Sequence, residues 1–324
     1  MLNRENIFLA NVNNIAETPG QFCMSFHFDS MPLIRSIEKF GLMNNPFVTK
    51  TKEGRVEPVV GYRRIIALKR LKKEVVHCVD LSNADLSPFD LLLFNLYDNL
   101  SMREFNDIEK GMILSRLLRH IPKDEISRDY MPLLKLPSNE ETLDLYLDLD
   151  QLDHEIRTAI AKKTLSLRAA RLLLQLDPES RSSIFLILNN LKFNINNQLQ
   201  LIDYMFDISN KEGLSISDVI MDEVIQKVIL DNKLNNPQKG KKMINHLRQR
   251  RYPRLSRFEE GFRQRIESLG LPKDIKISHP PFFESSDYRL EIRFKGSKDL
   301  KKILEKLYQK DNLENIFKLF NDYS

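Results

Sequence analysis

The middle of this chain has a helical periodicity that excludes most other folds. From residue 88 to about residue 235, leucine and isoleucine recur with a period near 3.6. The periodicity is broken at four prolines, which cannot continue a helix: Pro122, Pro132, Pro137 and Pro178. Only 10 of the 324 residues are glycine, which disfavours a turn-rich all-β architecture. The sequence therefore predicts a mostly helical, multi-domain α+β chain.

Residues 1–87 show a mixed α/β pattern. Segment 22–28 alternates loosely between apolar and polar residues. The expected elements after it are a helix over 31–40 ended by Gly41, strands over 45–49 and 56–60, a helix over 62–71 and a strand over 75–79. Pro58 has no N–H to donate to a strand ladder, so we expect its strand to lie at a sheet edge or to contain a bulge.

The C-terminal part begins at a predicted linker. Residues 235–240 combine Asn, Pro and Gly, which is typical of a break between domains. A basic helix, two β runs and an amphipathic helix over 298–308 are expected after it. The predicted domains are 1–87 (α/β), 88–236 (helical), 237–256 (basic linker) and 257–324 (basic α/β).

Charge is distributed unevenly along the chain, although the net charge is only +5. Residues 239–310 contain 20 Lys and Arg against 9 Asp and Glu, whereas residues 137–155 contain seven acidic residues and no Lys or Arg. A dense basic segment attracts polyanions, because neutralising phosphates releases condensed counterions. If the partner is nucleic acid, we expect it to contact the C-terminal half. The alternative is a hinge whose charges pair with acidic residues of the same chain or of its dimer mate.

The predicted DNA contacts all lie in this basic segment. They are Lys241, Lys242, Arg248, Arg250, Arg251, Arg254 and Arg257. Phosphate contacts position a protein without distinguishing bases, so the expected binding is salt-sensitive and weakly specific.

The last predicted helix carries an apolar stripe that one helix and one or two strands cannot bury alone. A second copy of the chain is therefore the expected cover, which makes the protein a homodimer. The predicted dimerisation residues are Ile292, Phe294, Leu300, Ile303, Leu304 and Leu307.

Several classes of protein find no support in the sequence. The two cysteines, Cys23 and Cys78, cannot form a disulfide framework, and no spacing offers a zinc site. No signal-peptide core follows the first residues, and apolar runs such as 91–94 are far shorter than the roughly 20 residues that span a bilayer. No Ser/His/Asp or Cys/His arrangement indicates a peptide or ester hydrolase. We expect a cytoplasmic protein with no membrane partner.

The junction at residues 59–64 carries the clearest chemistry. A strand ends, Gly61 allows close backbone approach, and a helix begins with Arg63 and Arg64 in its first turn. Helix N-termini offer unpaired N–H groups and partial positive charge, and one guanidinium group can bind two oxygens of a phosphate with two hydrogen bonds. The alternative is an ordinary pair of surface arginines. There is no P-loop and no glycine-rich dinucleotide motif.

Four segments in order resemble ParB-type chromosome and plasmid partition proteins. The N-terminal segment resembles the family's Ser-Ile…Gly…Pro…Gly-Glu-Arg-Arg…Ala pattern; it comprises Ser36-Ile37, Gly41, Pro46, Gly61-x-Arg63-Arg64, Ala67 and Val76-x-Cys78-Val79. Residues 98–109 are similar to its Glu-Asn-x-Gln-Arg segment and the helix start that follows. Residues 134–137 and 163–173 are similar to the end of its helix-turn-helix region, and 288–307 to its C-terminal strand–helix dimerisation element.

The resemblance implies a switch that binds and hydrolyses CTP with Mg²⁺ on a ParB/sulfiredoxin-like α/β domain, and a nucleoid-associated role with a ParA-type ATPase. Gly61, Arg63 and Arg64 would cradle the phosphates. Asp98 and Asn99 occupy the family's Glu-Asn positions. The resemblance implies that both lie near the metal, that Asn99 contacts the nucleotide and that Asp98 lies near the hydrolytic water. Without the family, Asp98 and Asn99 would be a polar pair capping a helix end.

The chain departs from the family pattern in three places. Tyr62 replaces the Glu of Gly-Glu-Arg-Arg, and Ser101-Met102 replaces Gln-Arg. Arg103 follows one residue after the position of the family's Arg, so we expect its side chain on a different side of the helix. We expect that nucleotide binding survives with weakened hydrolysis, or that the nucleotide differs. The expected recognition helix, residues 138–149, carries four acids and no Lys or Arg, so we expect no sequence-specific contacts from this degenerate helix-turn-helix.

Two further functions stay open. One is a ParB-like DNA-binding regulator that has lost nucleotide turnover. The other is an ATP-dependent small-molecule kinase, because the same Gly-x-Arg-Arg fold resembles sulfiredoxin and some free-serine kinases. The kinase leaves the basic segment and the dimerisation element without a role.

Overall fold

A computed structural model of the chain describes residues 6–51, 54–272, 274–284 and 287–308. The end of the predicted C-terminal domain, 309–324, lies outside the described residues. The chain consists of two compact units, Met1–Leu199 and Gln200–Ser324. The division falls within a helix, Ile195–Glu212, and not at the linker expected after residue 236.

The N-terminal unit begins with a four-stranded mixed sheet and two helices. The elements of this part are β1 (Ile7–Asn11), α1 (Met31–Phe40), β2 (Phe47–Lys50), β3 (Val56–Val60), α2 (Tyr62–Arg70) and β4 (Val75–Asp80). The strand order is β1-β4-β2-β3. β1 is antiparallel to β4 and β2 to β3, and β2 runs parallel to β4.

The sequence predicted these elements except β1. β3, which contains Pro58, lies at the sheet edge, and the β2–β3 register shifts between Phe47 and Val48, so both expected consequences of the proline are present. Segment 22–28 forms no strand, because side chains from later helices bind its main chain. Asn95 donates to the Phe22 carbonyl, and the Phe26 N–H donates to Glu109.

Helices cover both faces of the sheet. On one face, α1 and α2 bury a continuous apolar core that includes Ile37, Val48, Ile65 and Cys78. Side chains alternate along a strand, so Phe47 points to the opposite face, where it contacts Phe94 with 5.1 Å between ring centroids. This second contact places a long helix against the strands that carry the Gly61 junction.

The rest of the N-terminal unit is helical, as predicted. Its helices are α3 (Pro88–Met102), α4 (Asp107–Leu117), α5 (Lys123–Glu125), α6 (Glu140–Asp150), α7 (His154–Ala161), α8 (Leu167–Leu174) and α9 (Pro178–Leu191). Capping boxes begin α3 and α4, at Ser87 with Asp90 and at Asn106 with Glu109. α6 packs closely on α4, since a Cβ added at Gly111 would lie 2.5 Å from the Tyr146 carbonyl oxygen.

The C-terminal unit is also mostly helical. After α10 (Ile195–Glu212), which begins before the unit boundary, the elements are α11 (Ile216–Ile220), α12 (Glu223–Leu230), α13 (Asn236–Arg251), α14 (Pro253–Ser268), β5 (Ile275–Ser278), β6 (Arg289–Ile292) and α15 (Ser297–Leu307). β5 and β6 form a two-stranded antiparallel sheet with Ile277 opposite Leu290. No helix of the described residues is long and apolar enough to cross a membrane.

The segment expected as a basic linker, 237–256, is helical instead. Asn235 and Gln238 form a capping box and Pro237 lies in the first turn, so the residues that indicated a break begin α13. α13 buries Met243, Ile244 and Leu247, which makes the segment part of a packed core.

Candidate functional site

Gly61 shapes the entrance to α2. Its φ of +95° lies in the left-handed region, and an added Cβ would lie 3.2 Å from Cα and Cβ of Pro46. Gly61 has no side chain to cap α2, and the next residues in its first turn are Tyr62, Arg63 and Arg64. The predicted helix N-terminus is therefore present, with main-chain N–H groups and two arginines close together.

Arg64 carries a charge that no acid neutralises at hydrogen-bond distance. Its Nη1 donates to the carbonyl oxygens of Asn44 at 3.1 Å and Asn45 at 3.2 Å, and it forms no ion pair with any residue that the structure describes. Burial lowers the pKa of Arg64, while the negative charge of Asp98 acts in the opposite direction. A partly desolvated guanidinium beside a helix N-terminus is suited to an anion.

Arg63 points to a different partner. Its Nη2 donates to Oε1 of Glu109 at 2.7 Å and its Nε to Oγ of Ser25 at 3.1 Å, and its guanidinium lies 4.7 Å from the centre of the Phe28 ring. The two arginines that the sequence treated as one pair thus have different environments. Arg63 is ion-paired to Glu109, and Arg64 forms no ion pair with the residues described.

Glu109 is the centre of this network, and the sequence prediction did not include it. Its side chain is 1% exposed, and Oε2 accepts from Nη1 of Arg103 at 2.6 Å and from the Asn106 N–H at 3.1 Å. Its Oε1 also accepts from the Phe26 N–H at 3.1 Å. One carboxylate therefore holds two guanidinium groups, which leaves the network with one excess positive charge. The sequence signals for Glu109 were the capping-box spacing Asn106-x-x-Glu109 and its place at the helix start in segment 98–109.

Arg103 reaches this network because α3 ends before it. Arg103 is the C-cap of α3, and its backbone is extended, with φ −160° and ψ 165°. Arg103 therefore lies outside the helix, and the helical spacing does not set the direction of its side chain. Its Nη2 donates to the Met24 carbonyl at 2.7 Å, and burial lowers the pKa of Arg103. The late position of this arginine, expected to carry it to another side of the helix, does not remove it from the site.

The predicted metal ligands lie on the last turns of α3 and do not form a metal site by themselves. Oδ1 of Asn99 accepts from Nε of Arg103 at 2.7 Å, so this oxygen faces a cation already. Asp98 is half-buried near Arg64. The residues that the structure describes contain no group of three or more His, Cys, Asp or Glu placed to hold a metal ion. Asn99 does not fit the ligand role that the resemblance implied.

A cavity of about 550 Å³ adjoins the first turn of α2. Its lining residues are Glu17, Thr18, Pro19, His27, Phe28, Tyr62, Ile66 and Arg70. The Tyr62 hydroxyl donates to the Glu17 carbonyl at 2.8 Å, and burial raises the pKa of Tyr62 to about 12. Tyr62 therefore stays neutral at physiological pH and contributes an aromatic wall to the cavity.

A helix stands where the recognition helix was expected, and its polar face is acidic. α6 buries Leu143, Tyr146 and Leu149. Asp144 pairs with Lys123 at 2.6 Å, and Glu141 pairs with Arg171. These pairs use cations of the same unit to balance the acids.

The seven basic residues predicted to contact DNA fall into two groups. Arg248 is held by both carboxylate oxygens of Glu259 at 2.6 Å, Arg250 pairs with Glu212 and Asp222, and Arg251 pairs with Asp203 and Asp207. The second group is exposed and forms no ion pair with described residues: Lys241, Lys242, Arg254 and Arg257. The alternative of charges paired within the chain accounts for the first group.

The predicted dimerisation residues also divide. Ile303 and Leu307 are buried against Ile275 of β5, and Ile292 packs beside them, so the chain's own sheet covers this part of the stripe. Leu300 and Leu304 line a shallow apolar groove on the outside of α15, together with Tyr308. Phe294 is 51% exposed. Among the residues described, the outward-facing members of the predicted set are Phe294, Leu300 and Leu304.

Comparisons with known proteins give structural neighbours that include two ParB structures. No protein-family model and no curated protein matches the chain. The chain is similar to the C-terminally truncated chromosome-partitioning protein ParB from Caulobacter crescentus complexed with CTP-gamma-S. The identity is 18%, the match covers 52% of this chain and 92% of that chain, and the TM-score is 0.27. It is also similar to the C-terminally truncated ParB protein from Caulobacter crescentus complexed to the centromeric parS site. The identity is 14%, the match covers 65% of this chain and 95% of that chain, and the TM-score is 0.31.

Proposed function

We propose that the chain is a ParB-like, cytoplasmic DNA-binding protein whose N-terminal unit binds a nucleotide and whose C-terminal unit binds DNA and dimerises. The motif resemblance indicates CTP as the nucleotide. The proposal rests on the chain's own residues, namely the helix N-terminus at Gly61, the guanidinium of Arg64 and the exposed basic residues of α13 and α14.

Arg64 is the observation that carries the nucleotide-binding proposal. A phosphate at the N-terminus of α2 would neutralise its charge and accept hydrogen bonds from main-chain N–H groups. The cavity at the first turn of α2 is walled by Phe28 and Tyr62, whose rings offer faces on which a base can stack, and Arg64 is not among its lining residues. Arg63 would stay on Glu109 and fix the segment that forms the cavity wall.

Arg64→Ala is expected to weaken CTP binding more than tenfold, because loss of a charge-assisted hydrogen bond costs about 1.5–3 kcal/mol. Isothermal titration calorimetry with CTP, ATP and GTP measures this on the full chain. The matched control is Arg35→Ala, which removes an exposed arginine of α1 and should leave the affinity unchanged.

Two outcomes of that titration would contradict the proposal. Equal affinity of Arg64→Ala and wild type for CTP would remove Arg64 from the site. Preferential binding of ATP would favour the small-molecule kinase.

Turnover is proposed to be weak. Mg²⁺ would supply charge neutralisation to the phosphates of a bound nucleotide. Of the predicted pair, Asp98 alone offers it an oxygen with no hydrogen bond described, since Oδ1 of Asn99 accepts from Nε of Arg103. Asp98 is therefore the one residue of the predicted pair that we retain as a candidate for hydrolysis. Tyr62, neutral and hydrogen-bonded to Glu17, cannot replace a carboxylate as a base.

DNA binding is assigned to the four exposed cations of α13 and α14. Changing Lys241, Lys242, Arg254 and Arg257 together to Gln should weaken duplex binding. The slope of log K against log salt should fall by about 0.9 for each DNA phosphate that the variant no longer neutralises. Gel retardation at two salt concentrations detects the weaker binding, and fluorescence anisotropy over a salt series gives the slope.

The matched control changes four exposed cations of the N-terminal unit to Gln: Arg35, Lys39, Lys72 and Lys73. This control has the same net charge as the first variant and should keep the wild-type slope. Equal slopes for the two variants would show that net charge, and not this surface, governs binding.

Dimerisation is assigned to the outward groove of α15, because Leu300, Leu304 and Tyr308 line it and Leu304 is 38% exposed. Leu304→Glu should convert the dimer to a monomer in sedimentation velocity, since a charge would be buried in the contact. Lys302→Glu, on the opposite face of α15, is the control and should remain dimeric. A dimeric Leu304→Glu protein would place the contact elsewhere.

A further inference from the structure

The outward groove of α15 runs to the last residue of the chain that the structure describes. Leu300, Leu304 and Tyr308 form its apolar lining, and its volume is about 350 Å³. The opposite face of α15 packs on the sheet of β5 and β6. Tyr308 is 76% exposed and Leu304 is 38% exposed, so the groove can accept an apolar partner.

Contact through the groove alone would bury too little surface for a stable dimer. An aromatic side chain offers about 150–250 Å² in total, and most of Leu304 is already covered. The exposed parts of three side chains from each copy therefore fall short of the roughly 1,200 Å² in total at which stable interfaces begin. The proposed dimer needs a further apolar element from each copy.

The sequence shortly after α15 contains such an element. Leu313, Ile316, Phe317 and Phe320 have the i, i+3, i+4, i+7 spacing that predicts one apolar helix face. These four residues lie outside the described residues, and they also lie beyond segment 288–307, which resembles the family's dimerisation element. Eight residues of helix would be about 12 Å long at 1.5 Å per residue, and α15 rises by about the same length from residue 300 to residue 308. The segment 313–320 therefore matches the groove in length and in apolar character.

Charge favours this segment over a second α15 as the occupant of the groove. Residues 297–308 contain four lysines against Asp299 and Glu305, a net charge of +2. Residues 311–324 contain three acidic residues against Lys318, a net charge of −2. Two α15 helices packed directly on each other would bring like charges together, whereas the C-terminal segment brings the opposite charge.

We propose that the segment 313–320 of each copy fills the α15 groove of the other copy. This inference rests on the proposed dimerisation through that groove, and it names the element that the second copy contributes. The same segment bound in the groove of its own chain would cover the apolar lining without adding area between copies. The area that a stable dimer needs therefore favours exchange of the segments.

Phe317→Glu tests the segment in the full chain. It should weaken dimerisation more than tenfold in a sedimentation concentration series, because a central apolar side chain is replaced by a charge that the contact would bury in both copies. Asn315→Glu is the matched control, since it makes the same change in charge on the opposite side of the predicted helix face. Its dimerisation should equal that of wild type.

Mixing two variants tests the exchange between copies. Leu304→Glu has a defective groove and an intact segment, and Phe317→Glu has an intact groove and a defective segment. In an equimolar mixture one segment and one groove can still combine, so a heterodimer should form at concentrations where each variant alone is monomeric. Its formation would also show that both variants are folded.

Three results would contradict this account, and they differ in what they overturn. Dimerisation of Phe317→Glu at the wild-type affinity would overturn the role of the segment and leave the groove as a contact between copies. A monomeric Phe317→Glu protein that forms no heterodimer in the mixture would overturn the exchange and place the segment on its own chain. A wild-type protein that is monomeric throughout the concentration series would overturn the proposed dimerisation itself.

Discussion

The N-terminal unit depends on one buried carboxylate. Glu109, 1% exposed, accepts hydrogen bonds from two guanidinium groups and two main-chain N–H groups, and these partners come from α2, from the end of α3, from the start of α4 and from segment 22–28. Removing one partner from such a buried pair typically costs about 3–5 kcal/mol, because the other charge is left uncompensated. This constraint fixes Arg63 and Arg103 as structural groups. It leaves Arg64, on the next position of α2, as the cation of the Gly61 junction that a ligand can neutralise.

Local chemistry made much of the fold predictable. The α1–β2–β3–α2–β4 order follows from periodicity, from Gly41 and from the missing N–H of Pro58, all of which act within a few residues. The position of Gly61 was predictable for the same reason, since a strand that meets a helix so closely requires a residue without Cβ. β1 escaped prediction because its partner in the sheet, β4, is separated from it by more than sixty residues.

Long-range partner choice was not predictable. Arg63 and Arg64 are adjacent in sequence, yet only the folded chain distinguishes the one on Glu109 from the one on main-chain carbonyls. The basic segment shows the same limit, because Arg250 and Arg251 are neutralised by acids of α10, about forty residues earlier. Its Asn-Pro start also resembled a linker, although the same residues cap a helix whose apolar side is buried. Charge density in the sequence therefore overstated the surface that a polyanion can reach.

The central claim is that a nucleotide phosphate binds Arg64 while Arg63 remains on Glu109. Side-chain NMR of the full chain with ¹⁵N-labelled arginine tests it most directly, with the Nε–H signals assigned by Arg63→Lys and Arg64→Lys variants. Addition of CTP should shift the Arg64 signal and leave those of Arg63 and Arg103 in place. A shift of the Arg63 signal with no change at Arg64, or no shift of either at saturating CTP, would contradict the account.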